Sequence, residues 1–492
     1  MTARRIDPMP GYYIWTIGCQ MNKADSERLA GLLDQAGLQP VSSVDGASVI
    51  VLNSCVVRQS AEDRVVGKLG SLKALKRARP DLVLALTGCM VGSEREKAAL
   101  AKRFAYVDAF LRPLEFGPLL DIVAERGLGG DVQRDCLEMA ARPMRVGEEH
   151  AVGLDLDGEH DGGIPDALDI TPAKWVPVIY GCDYMCTYCI VPFRRGRERS
   201  RPLAEIVDEV KGFVAGGARE VTLLGQTIDR YGNDLPGRPD LADLFDRLND
   251  LAGLDRIRFL TSHPSDMSER IVRAIGELPR VCEHVNLPVQ AGDDEILARM
   301  RRPYKVDEYR RLIDGIRRHV PGASLSTDVI VGFPGETRAQ FEGTYRLLEE
   351  IGFDVVHVAM YSPRPGTHAA RSIPDDVSRA EKKERLRLVE ELQAGIARRL
   401  NQALLGQTVE ILVEERSGGK WQGRTRTNKI VFFADERDWL GELVPLRVSH
   451  ATAWSLQGEL VAEQAPAPGA WRARVARPAP ARGAAISLRL VS

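Results

Sequence analysis

The chain has 492 residues, with 67 Lys and Arg against 69 Asp and Glu and a formal net charge of -2. This length predicts about three domains rather than one small fold. The balanced charge excludes a polybasic coat protein for nucleic acid. No apolar run reaches the roughly 18 residues that a membrane span needs, and the first residues lack the apolar core of a signal peptide. We therefore expect a cytoplasmic protein without a membrane segment.

Residues 10–135 alternate strand-like and helical segments, which is typical of a doubly wound parallel α/β domain. Apolar strands are predicted at 12–18, 48–52 and 82–86, separated by apolar residues at helical spacing. One cysteine follows each of these strands, and the three are Cys19, Cys55 and Cys89. Loops after parallel strands meet at one edge of a sheet, so these thiols can come together there. Three separate core thiols are the alternative.

An acidic linker is predicted at 136–170, because residues 147–169 carry eight acidic residues and no Lys or Arg. Six βα units follow within residues 171–404, as in a partial TIM barrel. Their strands are predicted at 175–180, 220–224, 257–260, 284–287, 324–332 and 354–360. A capping-box pattern of Ser378 and Glu381 then opens a long helix that ends this domain.

Short strands are predicted within residues 405–463, at 409–415, 430–434, 443–449 and 455–461, and we expect them to form a small antiparallel β-barrel. Basic and aromatic side chains lie close together in its sequence, namely Arg424, Arg426, Lys429, Trp421, Phe432 and Phe433. Basic side chains beside stacking rings are typical of surfaces that bind single-stranded RNA, and the two Phe are the better candidates for the core. Residues 464–492 contain five Arg and no acid, and we expect a disordered basic tail.

Three further cysteines stand in GCDYMCTYC, at Cys182, Cys186 and Cys189, directly after the first predicted barrel strand. A loop with this spacing can wrap three thiolates around one inorganic cluster and leave one iron open. Zinc is the competing metal, but structural zinc usually draws on two CxxC-like pairs, and no second pair lies nearby. Cys136 and Cys282 have no partner in the sequence and are expected to be ordinary small apolar residues.

The CxxxCxxC spacing resembles the signature of radical S-adenosylmethionine enzymes. Further segments extend the resemblance, over about residues 11–461, to the methylthiotransferase family. These segments are TIGCQMNKADSE, LNSC, LTGC, GCDYMCTYCIVPFRRGRERSR, VTLLGQT, RFLTSHP, LPVQAGDDEIL, STDVIVGFPGET and YSPRPGT. Within that family GCQMN, Arg58 and GRTRTN (423–428) are most similar to the tRNA branch, which modifies N6-isopentenyladenosine.

The resemblance implies two 4Fe-4S clusters and the cofactor S-adenosylmethionine. Cys182, Cys186 and Cys189 would hold the cluster that cleaves the cofactor to a 5'-deoxyadenosyl radical, and the three N-terminal cysteines would hold a second cluster that delivers sulfur. The radical would remove hydrogen from C2 of adenosine 37 in tRNA, before sulfur insertion and methyl transfer. Gly225 and Gln226, in LLGQT, are expected to contact the cofactor, with an ordinary turn as the alternative.

The same resemblance implies a tRNA substrate, an electron donor such as a flavodoxin or ferredoxin, and a source of sulfur. The C-terminal barrel resembles a TRAM domain, an RNA-binding module. Five Arg in RRGRERSR (194–201) are candidates for contact with RNA phosphates or the cofactor carboxylate, with a solvated loop as the alternative. Threonylcarbamoyladenosine in tRNA and an aspartate of a ribosomal protein are alternative substrates. A zinc-stabilised RNA-binding protein without catalysis is the alternative from another class.

Overall fold

The computed structural model describes residues 9–56, 59–129, 153–154 and 171–475. The N-terminal domain is a parallel sheet flanked by helices. Its strands are β1 (Gly11–Thr16), β2 (Gln39–Pro40), β3 (Ala47–Ser54), β4 (Val83–Gly88), β5 (Ala109–Phe110) and β6 (Gly153–Leu154). Its helices are α1 (Gln20–Gln35), α2 (Gln59–Ala78), α3 (Glu94–Arg103) and α4 (Gly117–Glu125). The strand order is β2-β1-β3-β4-β5, with β6 beside β1, so the predicted doubly wound sheet is confirmed.

The central strand β3 is buried on both faces. Val49 belongs to the core under α1 and α4, whereas Ile50 belongs to the core under α2. Burial on both faces is the reason why the strands of this sheet are continuous apolar runs in the sequence. Asn53 near the end of β3 pairs in register with both β1 and β4. The loops after these three strands therefore leave the sheet at one edge.

The central domain is an arc of parallel strands backed by helices. Its strands are β7 (Ala173–Pro177), β8 (Ile179–Tyr180), β9 (Arg199–Ser200), β10 (Glu220–Leu224), β11 (Arg256–Leu260), β12 (His284–Asn286), β13 (Ser324–Val331) and β14 (Val355–Met360). The short strands β8 and β9 form a separate antiparallel pair and do not belong to the arc. Its helices are α5 (Val191–Arg195), α6 (Leu203–Ala215), α7 (Leu241–Asn249), α8 (Glu269–Glu277), α9 (Asp294–Arg299), α10 (Val306–His319), α11 (Arg338–Ile351), α12 (His368–Ser372) and α13 (Arg379–Gln402). Strands at all six predicted positions are confirmed.

The arc is an incomplete barrel. Sheets β11-β10-β7 and β12-β13-β14 are joined by a parallel bridge between Ile257 and Val281. Among the described residues β7 and β14 form no pair, so the arc is open on that side. The predicted start of α13 is confirmed, because the Ser378 side chain accepts a hydrogen bond from the Glu381 backbone N–H. The capping box is incomplete, because the Glu381 carboxylate accepts from Arg385 instead.

The C-terminal domain is a closed five-stranded barrel. Its strands are β15 (Thr408–Ser417), β16 (Lys420–Thr425), β17 (Ile430–Phe433), β18 (Leu443–Ala451) and β19 (Leu456–Leu460), in the order β15-β16-β17-β19-β18. Strand β16 was missed in the sequence. The β17–β19 pair is parallel, so the prediction of an antiparallel barrel holds for the other four pairs only. Five is odd, and a closed ring of five strands therefore needs at least one parallel pair.

Part of the predicted disordered tail is ordered. Residues Ala470–Val475 form helix α14, and Trp471 is fully buried against both the C-terminal barrel and the central domain. Its indole N–H donates to the Gly217 carbonyl oxygen at 2.6 Å. The prediction of disorder is wrong for these residues. The average composition of the tail is poor in large apolar residues, but the single large side chain of Trp471 buries enough apolar surface to order the segment. Residues 476–492, Cys136 and nearly all of the predicted linker lie outside the described residues.

Two buried arginines of β11 fasten the C-terminal barrel to the amino end of the arc. Arg256 donates to the Arg424 carbonyl oxygen (2.7 Å) and to the Glu410 carboxylate (3.0 Å). Arg258 donates to the Thr425 carbonyl oxygen at 2.6 Å. Removing one partner of such a buried charge typically costs about 3–5 kcal/mol. No helix in the described ranges is long and apolar enough to cross a bilayer.

Candidate functional site

A cavity of about 2440 Å³ lies where the three domains meet. The N-terminal cysteines (Cys19, Cys55 and Cys89) and the loop cysteines (Cys182, Cys186 and Cys189) all line it. The sequence did not show how the two groups face each other. The structure places both groups in the walls of one cavity, and all six thiols are free of disulfides.

Two glycines allow the N-terminal cysteines to approach one another. Gly18 has a φ of 147°, and a Cβ there would lie 2.8 Å from the Cβ of Cys55. Gly88 has a φ of 93°, and a Cβ there would lie 2.3 Å from the Ser54 carbonyl oxygen. No side chain fits either position without displacing its neighbours. Each glycine directly precedes a cysteine, so the Gly-Cys dipeptide was the signal that could have identified them.

A buried amide network fixes the start of α1 against the end of β3. The Asn22 side chain donates to the side-chain oxygen of Asn53 at 3.0 Å, and Asn53 donates to the Asn22 carbonyl oxygen at 2.8 Å. The Cys19 thiol in turn donates to the Asn22 side chain at 3.2 Å. Both amides are about 99% buried or more, so this network holds its shape and orients the first N-terminal cysteine.

Backbone hydrogen bonds shape the loop between β8 and α5. The Cys182 N–H donates to the Gly196 carbonyl oxygen (3.1 Å), and the Cys189 N–H donates to that of Cys186 (3.0 Å). The Val191 N–H donates to the Cys189 sulfur at 3.4 Å. Burial raises the pKa of the Cys189 thiol to about 12. Bound metal ions offset such an effect, because their positive charge favours the thiolate.

Two side chains beside this loop were missed in the sequence. Arg302 is buried and its guanidinium lies 3.7 Å from the Cys186 sulfur. The His263 ring stacks on Tyr184 with centroids 3.9 Å apart. Burial, with Arg302 nearby, lowers the pKa of His263 to about 2, so the ring is neutral at pH 7. His263 stands in RFLTSHP, which was a signal, whereas nothing in the sequence around Arg302 distinguished it.

One nitrogen of the His263 ring is buried without a partner. The other, Nδ1, lies 3.2 Å from the Ser265 backbone nitrogen and 3.4 Å from an oxygen of the Asp266 carboxylate. The Nε2 atom is buried and has no hydrogen-bond partner among the described residues. A buried polar atom of this kind is an expected contact point for a ligand.

Gly225 and Gln226 line the cavity, where the sequence predicted cofactor contact. A Cβ on Gly225 would lie 2.5 Å from a methyl group of Ile179, so packing against β8 by itself requires glycine here. The Gln226 side-chain oxygen is buried without a hydrogen-bond partner in the described chain. It offers an acceptor to a bound molecule. Contact with the cofactor stays a prediction for both residues.

The arginine segment 194–201 is largely committed to ion pairs within the chain. The pairs are Arg194–Glu96, Arg195–Asp25, Arg197–Asp183 and Arg201–Glu209. The first two join the central domain to the N-terminal domain. Arg194, Arg195 and Arg201, whose side chains are at most 10% exposed, are therefore not the free cations that the sequence suggested for RNA phosphates. For Arg197, whose side chain is 88% exposed, contact with RNA stays a prediction.

The three basic residues predicted to bind RNA also have acidic partners. The pairs are Arg424–Glu414 at 3.4 Å, Arg426–Glu283 at 2.6 Å and Lys429–Asp354 at 2.6 Å. The latter two pairs hold the C-terminal barrel against the arc, and Arg426 does not line the cavity. Trp421 and Phe433 are buried in the barrel core, whereas Phe432 is half-buried. The expectation that both Phe are better core candidates than Trp421 is therefore wrong, and neither Trp421 nor Phe433 offers an exposed ring for stacking. RNA contact by Arg424 and Lys429, which do line the cavity, stays a prediction.

Trp454 is an aromatic residue of the cavity that the sequence analysis missed. It is 61% exposed, and it stands in the turn between β18 and β19. The Thr452 hydroxyl accepts hydrogen bonds from the N–H groups of Trp454 (3.2 Å) and Ser455 (3.0 Å). Asn401 of α13 donates to the Thr452 carbonyl oxygen at 2.9 Å. The turn is therefore fixed to the central domain while the indole faces solvent.

The donor set fits iron-sulfur clusters. In the described ranges no group of three His, Cys, Asp or Glu side chains is arranged to hold a single metal ion. A cluster of four irons takes one thiolate per iron and spans more space than one ion. Each group of three soft thiolates matches such a cluster with one iron left open. The glycines that bring the N-terminal cysteines together support the same fit.

Comparison with known proteins gives three family matches along the chain. Residues 11–112 match the uncharacterized protein family UPF0004, residues 176–348 match the radical SAM superfamily and residues 402–461 match the TRAM domain. Similar curated proteins are named tRNA-2-methylthio-N(6)-dimethylallyladenosine synthase. Those of Roseiflexus sp. strain RS-1 and Chloroflexus aurantiacus are 48% and 47% identical, over 91% of this chain and 89% and 91% of theirs.

The solved structures that the chain is similar to have low sequence identity and TM-scores below 0.5. The radical S-adenosylmethionine methyltransferase TsrM from Kitasatospora setae is 15% identical, with a TM-score of 0.44 and 74% coverage of each chain. The cobalamin-dependent S-adenosylmethionine radical enzyme OxsB is 11% identical, with a TM-score of 0.47, over 78% of this chain and 56% of its own.

The open arc of parallel strands, its cysteine loop and the matched superfamily define a radical S-adenosylmethionine enzyme. Such enzymes use a 4Fe-4S cluster with S-adenosylmethionine. The chain belongs to the tRNA-2-methylthio-N(6)-dimethylallyladenosine synthase family, because curated members cover most of its length at nearly half identity. It is a tRNA methylthiotransferase, and the enzymes of this family carry two 4Fe-4S clusters.

Proposed function

We propose that the loop cysteines hold the 4Fe-4S cluster that binds S-adenosylmethionine, and that the N-terminal cysteines hold the cluster that supplies sulfur. The observation that carries this assignment is the lining of one cavity by both groups. Bound clusters would supply the electron for cleavage of S-adenosylmethionine and the sulfur for C2 of N6-isopentenyladenosine 37 in tRNA. The remaining chemistry is positioning, which is the task of the chain's own residues.

The walls of the cavity offer complementary polar groups to the cofactor. The Gln226 side-chain oxygen and the His263 Nε2 atom are buried and have no hydrogen-bond partner among the described residues. Arg302 places a fixed positive charge beside Cys186. Because the cavity contains both groups of cysteines, the reacting base and the sulfur can meet without passing through solvent.

The proposed chemistry has requirements beyond this chain. It needs an electron donor such as a flavodoxin or ferredoxin, and a source that renews the sulfur. A cytoplasmic location suits a tRNA substrate. Metal analysis tests the assignment directly: a sample purified without oxygen should contain about eight iron and eight sulfide per chain. A protein with stoichiometric zinc and no iron would contradict the assignment and favour a non-catalytic RNA-binding module.

We further propose that Trp454 stacks on an unpaired base of the tRNA at the mouth of the cavity. Its ring is exposed, it lines the cavity, and its turn is fixed to α13 through Asn401. Stacking on an aromatic ring contributes about 1–3 kcal/mol per base. Arg424 and Lys429 stand in the same wall and can approach phosphates if RNA displaces their acidic partners.

Trp454→Ala should weaken tRNA binding by roughly 5- to 150-fold, which is the stacking energy of one base expressed as affinity. The salt dependence of binding should stay the same, since no charge is removed. Filter binding or fluorescence titration at several salt concentrations measures both quantities. Trp454→Phe should keep most of the affinity. Leu405→Ala is the matched control. Leu405 is an apolar residue just before the C-terminal barrel that is 47% exposed, but it does not line the cavity. Equal affinity in Trp454→Ala would exclude the stacking role.

A further inference from the structure

Arg195 reaches from the central domain to the N-terminal cysteines. It is the last residue of α5, six positions after Cys189, and its side chain is 4% exposed. One terminal nitrogen, Nη2, donates to the Asp25 carboxylate of α1 at 2.8 Å. The other, Nη1, is buried and has no hydrogen-bond partner among the described residues. Arg195 also lines the cavity.

Arg195 shares the lining of the cavity with the N-terminal cysteines. Burial raises the pKa of the Cys89 thiol, and the nearby Arg195 guanidinium lowers it by a smaller amount. Cys19 also lies within electrostatic reach of Arg195. Asp25 is 2% exposed and holds the guanidinium in this direction. The buried Nη1–H, which has no acceptor among the described residues, thus belongs to a side chain that lines the same cavity as Cys19 and Cys89.

A buried guanidinium N–H without an acceptor is unfavourable, so its presence in a cavity indicates an acceptor that binds there. Thiolates, and the sulfides of a cluster that they hold, are acceptors of this kind. Hydrogen bonds to sulfur and nearby positive charge make an iron-sulfur cluster easier to reduce. The Arg195 side chain of the central domain can supply both the hydrogen bond and the positive charge.

We propose that Arg195 donates from Nη1 to anionic sulfur of the cluster at the N-terminal cysteines and raises the reduction potential of that cluster. The inference rests on the proposed assignment of the N-terminal cysteines. Residues of two domains would then form the sulfur-supplying site. The N-terminal domain supplies the cysteines, and the central-domain segment that carries the loop cysteines supplies Arg195. Asp25 orients Arg195 and partly offsets its charge.

The neighbouring Arg194 provides a matched control. It also crosses to the N-terminal domain, where it forms a two-pronged ion pair with Glu96 at 2.5 and 2.6 Å. Arg194 does not line the cavity. The two arginines are adjacent in sequence, carry the same charge and each form an ion pair with the N-terminal domain. They differ because only Arg195 lines the cavity that contains the cysteines.

The test uses the full chain with all three loop cysteines replaced by Ala, so that one cluster remains. Iron per chain and the midpoint potential, from a redox titration followed by electron paramagnetic resonance, are measured in each variant. We expect Arg195→Met to shift the potential to more negative values and Arg195→Lys to shift it less. Asp25→Asn, which leaves the positive charge without its partner, should shift it to more positive values. Arg194→Met should leave it unchanged.

The outcomes separate the inference from the proposed function. If the background variant itself holds no iron, the N-terminal cysteines do not form an independent cluster site, and the proposed function fails. If iron is retained while Arg195→Met and Asp25→Asn both leave the potential unmoved, the role of Arg195 is wrong and the assignment stands. If Arg195→Met does not fold, as judged by thermal unfolding, the opposite shifts expected of Arg195→Lys and Asp25→Asn decide the question.

Discussion

Cys186→Ala is expected to abolish the formation of 5'-deoxyadenosine from S-adenosylmethionine under reducing conditions. Cys186 is 8% exposed at the centre of the cysteine loop, with the Arg302 guanidinium beside its sulfur. Its loss leaves two thiolates in the loop, which cannot hold three irons and present the fourth to the cofactor. Chromatographic quantification of 5'-deoxyadenosine measures the effect.

Cys282→Ala is the matched control for this experiment. Cys282 is a buried cysteine of the same domain, 1% exposed, and it lies outside the cavity. The structure thereby confirms the expectation that it is a small apolar core residue. The control should cleave S-adenosylmethionine at the normal rate. Normal yields from Cys186→Ala as well would contradict the role of the loop cysteines.

Replacing all three N-terminal cysteines by Ala should separate cleavage of the cofactor from transfer of sulfur. The variant should keep about half of the iron and still produce 5'-deoxyadenosine, yet form no methylthiolated tRNA. The reason is that the loop cysteines lie in another domain and are shaped by its own backbone hydrogen bonds. Iron analysis, 5'-deoxyadenosine yield and nucleoside mass spectrometry of the tRNA give the three quantities.

Two results would contradict this prediction in different ways. Methylthiolation through many turnovers would remove the N-terminal cysteines from sulfur supply. Loss of cofactor cleavage would show that the two sites depend on each other, for which the Arg195–Asp25 contact across the domains provides a physical route. Cys282→Ala should again behave as the unmodified chain.

The sequence predicted the fold best where a buried strand is one continuous run of apolar residues. Strands such as β3 and β4 are apolar on both faces, and the cysteines after them are visible as isolated thiols in fixed positions. Strand β16 was missed because it contains Gly423 and Arg424 rather than an apolar run. Gly423 is needed there because a Cβ would lie 2.1 Å from the Leu412 carbonyl oxygen of β15. That contact exists only after the barrel has closed.

The site was less predictable than the fold because its charges are paired over long distances in sequence. Arg426 and Glu283 are 143 residues apart, and no local pattern shows that they meet. The burial of Trp421 has the same origin, since its indole N–H donates to the carbonyl oxygens of Asp435 and Arg437 across the barrel. A sequence pattern of basic residues beside aromatic residues is therefore compatible with an RNA-binding surface and equally with a packed interface between domains.

The joint at Arg256 and Arg258 has a geometric consequence for the choice of nucleotide. Both arginines are almost fully buried and bond to carbonyl oxygens of β16, so the C-terminal barrel has little freedom to swing on a hinge. If Trp454 of this barrel stacks on a base as proposed, the joint would keep a constant spacing between that base and the cysteines of the cavity. An anticodon loop held at one end would then present the nucleotide at that spacing and no other. This fixed distance would select which nucleotide of the loop reaches the cysteines, independently of the chemical identity of its base.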